Sequence, residues 1–332
     1  MKVAVLLSGG VDSSVAAYIM KEQGHSLVGV HMVHLDGEDE KRAKAAAEKL
    51  NIDFVSFDLR EVFKKEIVDY FIEEYKRGRT PNPCYFCNRK IKFGSLIKPI
   101  WDDFDLIVTG HYAVVENEKL YKAKKEKKDQ SYFLSSVEKE KLKKLYFPLG
   151  YMKKSEVLEI AQRIGIPHGV ESQDVCFLRG KSLKDFMREN GIETFQGDFV
   201  DKWGNKLGKH HGYYNYTIGQ RRGLGISLGR RIYVAKIVPE KNVVVLSDKK
   251  DVMYRYMEVS RLNFLEELPS EFEAMIKVRS NFKEVRGMVS VKDSKAFVEF
   301  DQEVFAVTAG QIAVFYIENQ VVLSGVIEKG YN

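Results

Sequence analysis

The stretch Leu7-Ser8-Gly9-Gly10-Val11-Asp12-Ser13-Ser14 decides how the chain is built. An apolar run, Val3-Ala4-Val5-Leu6-Leu7, leads into two adjacent glycines, and Val15, Ala16, Ile19 and Met20 follow at helical spacing until Gly24. The pattern predicts a buried strand, a glycine turn and a helix. Two glycines let backbone N–H groups point outward. Ser13 and Ser14 fall at the helix N-terminus, where unpaired donors and the dipole attract anions. Such a turn suits a phosphate. It lacks the lysine that follows the glycines of a Walker A loop, and it is not the G-x-G-x-x-G of a dinucleotide site. What remains is a phosphate cradle of another type or an ordinary strand-to-helix turn.

Composition narrows the class further. With 332 residues, 44% hydrophobic and 30% charged, the chain can fill two or three cores, which argues against disorder. The first apolar run stops at Ser8 without a cleavage pattern, and no segment reaches the length of a membrane span. Three cysteines, Cys84, Cys87 and Cys176, are too few for a secreted disulfide scaffold and fit a reducing compartment. A cytoplasmic protein with no membrane partner is expected. A net charge of +6 permits a nucleic-acid partner without requiring one.

After the loop, Leu27 to Met32 reads as a second strand, an Ala/Lys/Glu helix through Ala43 and Leu50 leads to a third at Asp53 to Phe57, and an amphipathic helix runs from about Val62 to Tyr75. Alternating strands and helices predict a parallel sheet, whose ligands bind beyond the C-terminal strand ends. Met32 then lies beside the loop, either as core or against an adenine. Arg79 to Asn88 carries Pro81 and Pro83, so no helix is expected there before about Lys90. Leu106 to Thr109 is another buried strand, with Gly110-His111-Tyr112 at the same sheet edge; no catalytic role is assigned to His111.

From Lys119 to Lys144 the chain turns basic, with Tyr121, Tyr132 and Phe133 interleaved. A solvated face explains the charges; a nucleic-acid surface would explain the rings as well. Ser155 opens a helix that Gly165 and Pro167 close. Turn-rich sequence from Gly197 to Gly225 marks a small second domain, and His210-His211 is rejected as a metal site because neighbours on a strand face opposite ways. From about Asn242, short runs of period two predict an antiparallel barrel or sandwich.

The string Ser8-Gly9-Gly10-Val11-Asp12-Ser13 resembles the loop of the PP-loop ATP pyrophosphatases. With Thr80 to Phe93, Thr109-Gly110-His111-Tyr112, Lys128 to Leu134, Cys176-Phe177 and Thr217-Ile218-Gly219-Gln220-Arg221 in one order, the chain resembles the bacterial tRNA 2-thiouridylases (the MnmA family) along nearly its whole length. The resemblance implies an α/β fold: a Rossmann-like PP-loop domain over residues 1–179, a small tRNA-contacting domain over 180–247 and a C-terminal antiparallel β-barrel over 248–332. It implies ATP with Mg²⁺ at Leu7, Ser8, Gly9, Gly10, Val11, Asp12, Ser13, Met32 and Gly110. Asn82, Pro83 and Cys84 match contacts to the target base, while Lys128, Asp129, Gln130 and Arg279 match tRNA contacts. The tRNAs implied are those of the Lys, Glu and Gln type, whose wobble uridine is adenylated at O2 and then thiolated.

Adenylation turns a poor leaving group into AMP, and a cysteine thiolate or persulfide supplies the sulfur. By resemblance Cys87 is the nucleophile and Cys176 the persulfide carrier, with sulfide or a sulfur-donor protein upstream. Cys84 stands where many members carry Asp, which creates Cys84-x-x-Cys87. Zinc, a redox pair and an iron–sulfur centre all use such spacing. A [4Fe–4S] cluster on Cys84, Cys87 and Cys176 is the expectation taken, as in some thiolating relatives. Two other functions compete: an ATP-dependent ligase or amidotransferase on a metabolite, which needs no cysteine pair, and a non-enzymatic RNA-binding protein, which leaves Asp12, Cys87 and Cys176 without a task.

Overall fold

The structure is a computed structural model that describes residues 1–125, 128–167, 175–193 and 195–332. Its N-terminal sheet holds β1 (Lys2–Leu6), β2 (Ser26–Val33), β3 (Asp53–Asp58), β4 (Leu106–Val108) and β5 (Leu145–Tyr146), all parallel, in the order β3-β2-β1-β4-β5. The chain winds outward from β1 to β3, then returns to the other side of β1 with β4. The turns after β1 and β4 therefore flank one crevice at the point where the winding reverses. Helix α1 (Val11–Glu22) and helix α3 (Lys154–Arg163) cover one face. There Val15, Ala16, Met20, Val157 and Ala161 bury against Val3, Val5 and Leu7. Helix α2 (Asp39–Lys49) joins this layer through Ala46 and Ala47, small enough for close approach to the sheet.

Two sequence readings need correction. The predicted loop after Arg79 becomes helical at Pro83, because Asn82 Oδ1 accepts the Tyr85 N–H at 3.2 Å and proline in a first turn forfeits only a bond that has no partner anyway. Beyond Phe86 the helix continues with π geometry over Cys87–Leu96. The run Val243–Ser247 opens the period-two pattern read toward a barrel or sandwich, yet within the 180–247 bounds of the small domain it joins a separate four-stranded sheet between Tyr233–Val238 and Gly197–Val200, with Lys206–His210 at its edge.

The C-terminal sheet closes on itself. Six antiparallel strands run in the order Met253–Phe264, Lys295–Phe305, Val285–Lys292, Glu271–Lys277, Ile312–Ile317 and Gln320–Tyr331, and the last pairs with the first. A hairpin of Val114–Glu116 and Lys119–Tyr121 extends this sheet through Tyr121 and Gln320, so part of the basic region is stitched to the barrel.

The segment that leads to the cysteines is clamped to the barrel from several sides. Thr80 N–H donates to Ala309 O at 2.9 Å, Gln311 Nε2 donates to Thr80 O at 2.9 Å, and the Tyr85 hydroxyl lies 2.9 Å from Ser324 Oγ. Arg79 sits between Glu74 and Glu328 at 2.7 and 2.6 Å, and the Glu74 carboxylate is only 4% exposed. Arg79→Met is expected to cost about 2 kcal/mol of stability, since it leaves the buried Glu74 carboxylate with only the longer 3.4 Å contact to the exposed Arg77. Chemical denaturation of the variant measures this; a loss under about 1 kcal/mol would mean that a buried charge was never at stake.

Candidate active site

The loop after β1 is held by its own side chains. Gly9 has φ +75°, and a Cβ there would stand 2.6 Å from Ala43 N and 2.7 Å from Arg42 C, so glycine is required by both conformation and the approach of α2. Ser13 Oγ donates to Gly10 O at 3.1 Å and accepts the Ser8 N–H at 3.2 Å; Ser14 Oγ also donates to Gly10 O, at 3.0 Å. Both serine hydroxyls brace the turn. The first-turn N–H groups of α1 are what remains to attract a phosphate.

Asp12 is the centre of a cluster. The Tyr112 hydroxyl donates to Asp12 Oδ1 at 2.9 Å, the Lys154 ammonium reaches the same oxygen at 2.6 Å, and Lys128 Nζ lies 3.6 Å from Oδ2. Gly110, just past β4, lies against this turn, for its Cβ would stand 2.5 Å from Asp12 C and 2.6 Å from Ser13 N. Met32, near the end of β2, is half-buried against the core on the same edge. Leu7 is buried, and its carbonyl lies 2.8 Å from His31 Nδ1.

The 128–130 segment faces inward. Gln130 exchanges backbone and side-chain bonds with Tyr112 at 2.8 and 2.9 Å, and Asp129 accepts from the N–H groups of Ala123 and Ser131, both at 3.1 Å. These bonds turn Lys128 toward Asp12 and the Tyr112 ring, 5.4 Å away. Much of the neighbouring positive charge is also paired, as Lys122 with Glu284 at 2.7 Å and Lys124 with Glu116 at 2.6 Å. Arg279 Nη2 donates to Ile218 O at 3.1 Å and to the Thr308 hydroxyl, which joins the barrel to the central segment.

The thiols lie on the other side of Gly110. His111 follows Gly110, and its ring is 6.2 Å from that of Phe93 on the π-helix whose first residue is Cys87. Burial holds His111 well below the usual imidazole range, so it is neutral, with Nδ1 2.6 Å from Thr109 Oγ1. Cys87 is buried, and burial pushes its thiol up to about 12; the charges of Cys176 and Cys84 push the same way and Lys92 opposes them. Cys176 is solvent-exposed yet set low among protein atoms, which push its thiol up to about 11. Phe177 anchors it, packing on Phe71 and Phe186 at 5.0 and 5.3 Å. Cys84 is exposed and shifted upward by the same surroundings. The three sulfurs thus share one electrostatic field. They do not make a metal centre as placed: among the described residues, no group of three or more His, Cys, Asp or Glu side chains is set to hold a metal ion. The expected three-thiolate cluster on Cys84, Cys87 and Cys176 is therefore not supported.

Tyr112, Lys154 and Lys92 were missed as site residues in the sequence. Lys154 did carry a signal: a cation in the first turn of a helix opposes the dipole and calls for a nearby anion. Among the described residues, no helix is long and apolar enough to cross a membrane.

Three family models match in tandem: "tRNA methyl transferase HUP domain" over residues 1–180, "tRNA methyl transferase PRC-barrel domain" over 184–248 and "Aminomethyltransferase beta-barrel domain" over 254–327. The chain is 44% identical to the tRNA-specific 2-thiouridylase of Pseudothermotoga lettingae, with 99% of each chain covered. It is 42% identical to that of Fervidobacterium nodosum, over 98% of this chain and 99% of the relative, and 38% identical to that of Thermotoga maritima, over 99% of both. With a phosphate loop, a thiol-bearing helix and a closed barrel arranged in that order, and with such identity from end to end, the chain belongs to the tRNA-specific 2-thiouridylase family.

Proposed function

We propose that the protein is an ATP-dependent tRNA-uridine 2-sulfurtransferase, which adenylates O2 of the wobble uridine and replaces that oxygen with sulfur. One observation carries the reading: Gly110 rests on Asp12 while the next residue, His111, faces Phe93 on the helix of Cys87. The loop proposed for adenylation and the helix that bears Cys87 are thereby packed on either side of the Gly110-His111 turn. A ligase or amidotransferase needs the loop but not the thiols, and a methyl transfer needs neither.

The α1 N-terminus would hold the phosphates of ATP, Asp12 would hold the accompanying Mg²⁺, which would neutralise phosphate charge, and Met32 would pack toward the adenine. The uridine O2 lone pair forms a bond to the α phosphorus, and the bond to the β phosphate breaks with its electron pair leaving on pyrophosphate. The terminal sulfur of a Cys176 persulfide then attacks C2, and AMP departs with the former O2. Cys87 attacks the Cys176 sulfur, which releases 2-thiouridine and leaves a Cys87–Cys176 disulfide. A dithiol reductant must reopen it before the next turnover. Asn82, Pro83 and Cys84 line the approach to the base. Exposed Arg221 and Arg222 offer charge to the tRNA backbone, together with Lys125.

The test follows the oxygen. A tRNA carrying heavy oxygen at O2 of the wobble uridine should transfer the label to AMP, read by mass spectrometry. Label-free AMP formed alongside thiolation would refute O2 adenylation.

A further inference from the structure

The phosphate loop has no lysine of its own, yet ATP cleavage between the α and β phosphates expels a highly charged pyrophosphate. The fold brings a lysine to that position from the far side of the domain. Lys154 is 142 residues from Asp12 in sequence, and its ammonium lies 2.6 Å from Asp12 Oδ1, beside the first turn of α1. We propose that Lys154 binds the β and γ phosphates of ATP and steadies the departing pyrophosphate, as the lysine inside a Walker loop does; this rests on the adenylation reading above.

Three observations support the assignment. Lys154 is the first residue of α3, where the helix dipole disfavours a cation, so its charge is not there to stabilise the helix. The helix start is served by Glu156, which accepts the Lys153 N–H at 2.5 Å. The side chain is only 22% exposed, so holding it in place costs solvation and rotamer freedom that a surface lysine would keep. The packing of Val157 and Ala161 against the α1 layer fixes the base of the side chain relative to the loop.

The contact with Asp12 suggests how the two groups divide Mg-ATP. Before nucleotide arrives, the carboxylate holds the ammonium at the loop mouth. Asp12 would hold the Mg²⁺ that accompanies ATP, an ion that would supply charge neutralisation at the phosphates, and Lys154 would donate to phosphate oxygens. Tyr112 and Lys128 would stay beside Asp12, so that each charge keeps an opposite partner.

Calorimetric titration of the full chain with Mg-ATP, inorganic pyrophosphate and AMP tests this directly. Lys154→Met should weaken pyrophosphate and ATP binding by about tenfold to a hundredfold, the loss of a charge-assisted hydrogen bond. AMP, which lacks the outer phosphates, should bind as to the unaltered protein, and Lys154→Arg should recover part of the pyrophosphate affinity. Unchanged pyrophosphate binding in Lys154→Met would overturn the proposal, as would an equal loss for AMP, which would mark Lys154 as only a brace for Asp12. If the unaltered protein bound neither ATP nor pyrophosphate, the adenylation reading itself would fall, and this proposal with it.

Discussion

Cys87→Ser should abolish 2-thiouridine formation while leaving ATP binding intact, because a hydroxyl cannot resolve a persulfide. The native thiol has an equally testable property before substrate arrives. Burial holds Cys87 near pKa 12 and Cys176 near 11. At neutral pH Cys87 is then held as the thiol, and its thiolate fraction rises about tenfold per pH unit below the pKa. Alkylation of the free protein should accordingly accelerate with pH to at least 10, and should mark exposed Cys176 before buried Cys87. Peptide mass spectrometry after timed alkylation gives the order. Rapid labelling of Cys87 at pH 7 would contradict the buried, protonated thiol, and normal thiolation by Cys87→Ser would remove it from the chemistry.

Gly110→Ala is expected to have the second largest effect. Its Cβ would stand 2.5 to 2.7 Å from the Asp12 backbone and from Ser13 N, atoms that belong to the first turn of α1 and have little freedom to retreat. Relief requires β4 and α1 to separate, at a cost of about 1–3 kcal/mol. That movement would carry Asp12 away from Tyr112 and Lys154, so ATP affinity should drop more than tenfold. Thermal unfolding with and without Mg-ATP separates the two effects. A variant that melts normally and is stabilised by ATP as before would show that the turn tolerates the side chain.

Much of this arrangement was legible in the residues. The β1 turn was readable because paired glycines between an apolar run and a helical period leave few alternatives, and the Cys87 and Cys176 motifs were readable through their order along the chain. Long-range partners were not: nothing local to Lys154 names Asp12, and the inward turn of Lys128 depends on bonds that Asp129 and Gln130 make with Ala123 and Tyr112. The helix at Pro83 was misread because a proline that blocks a helix interior is welcome in its first turn, once Asn82 caps it. Val243–Ser247 was grouped with the period-two runs of the barrel because period two identifies a strand but not its neighbours. The expected cluster came from Cys-x-x-Cys spacing, a third thiol supplied by the resemblance and the example of some thiolating relatives, and such spacing is shared by centres of quite different chemistry.

The proposed reaction exchanges O2 of a wobble uridine for sulfur at the expense of ATP. Its most direct test is nucleoside mass spectrometry of unmodified tRNA after incubation with the purified chain, Mg-ATP, a persulfide donor and a dithiol reductant. 2-Thiouridine should be confined to the wobble position, formed in equal number with AMP and lost without ATP. AMP without thiouridine, or thiouridine formed without ATP, would contradict it.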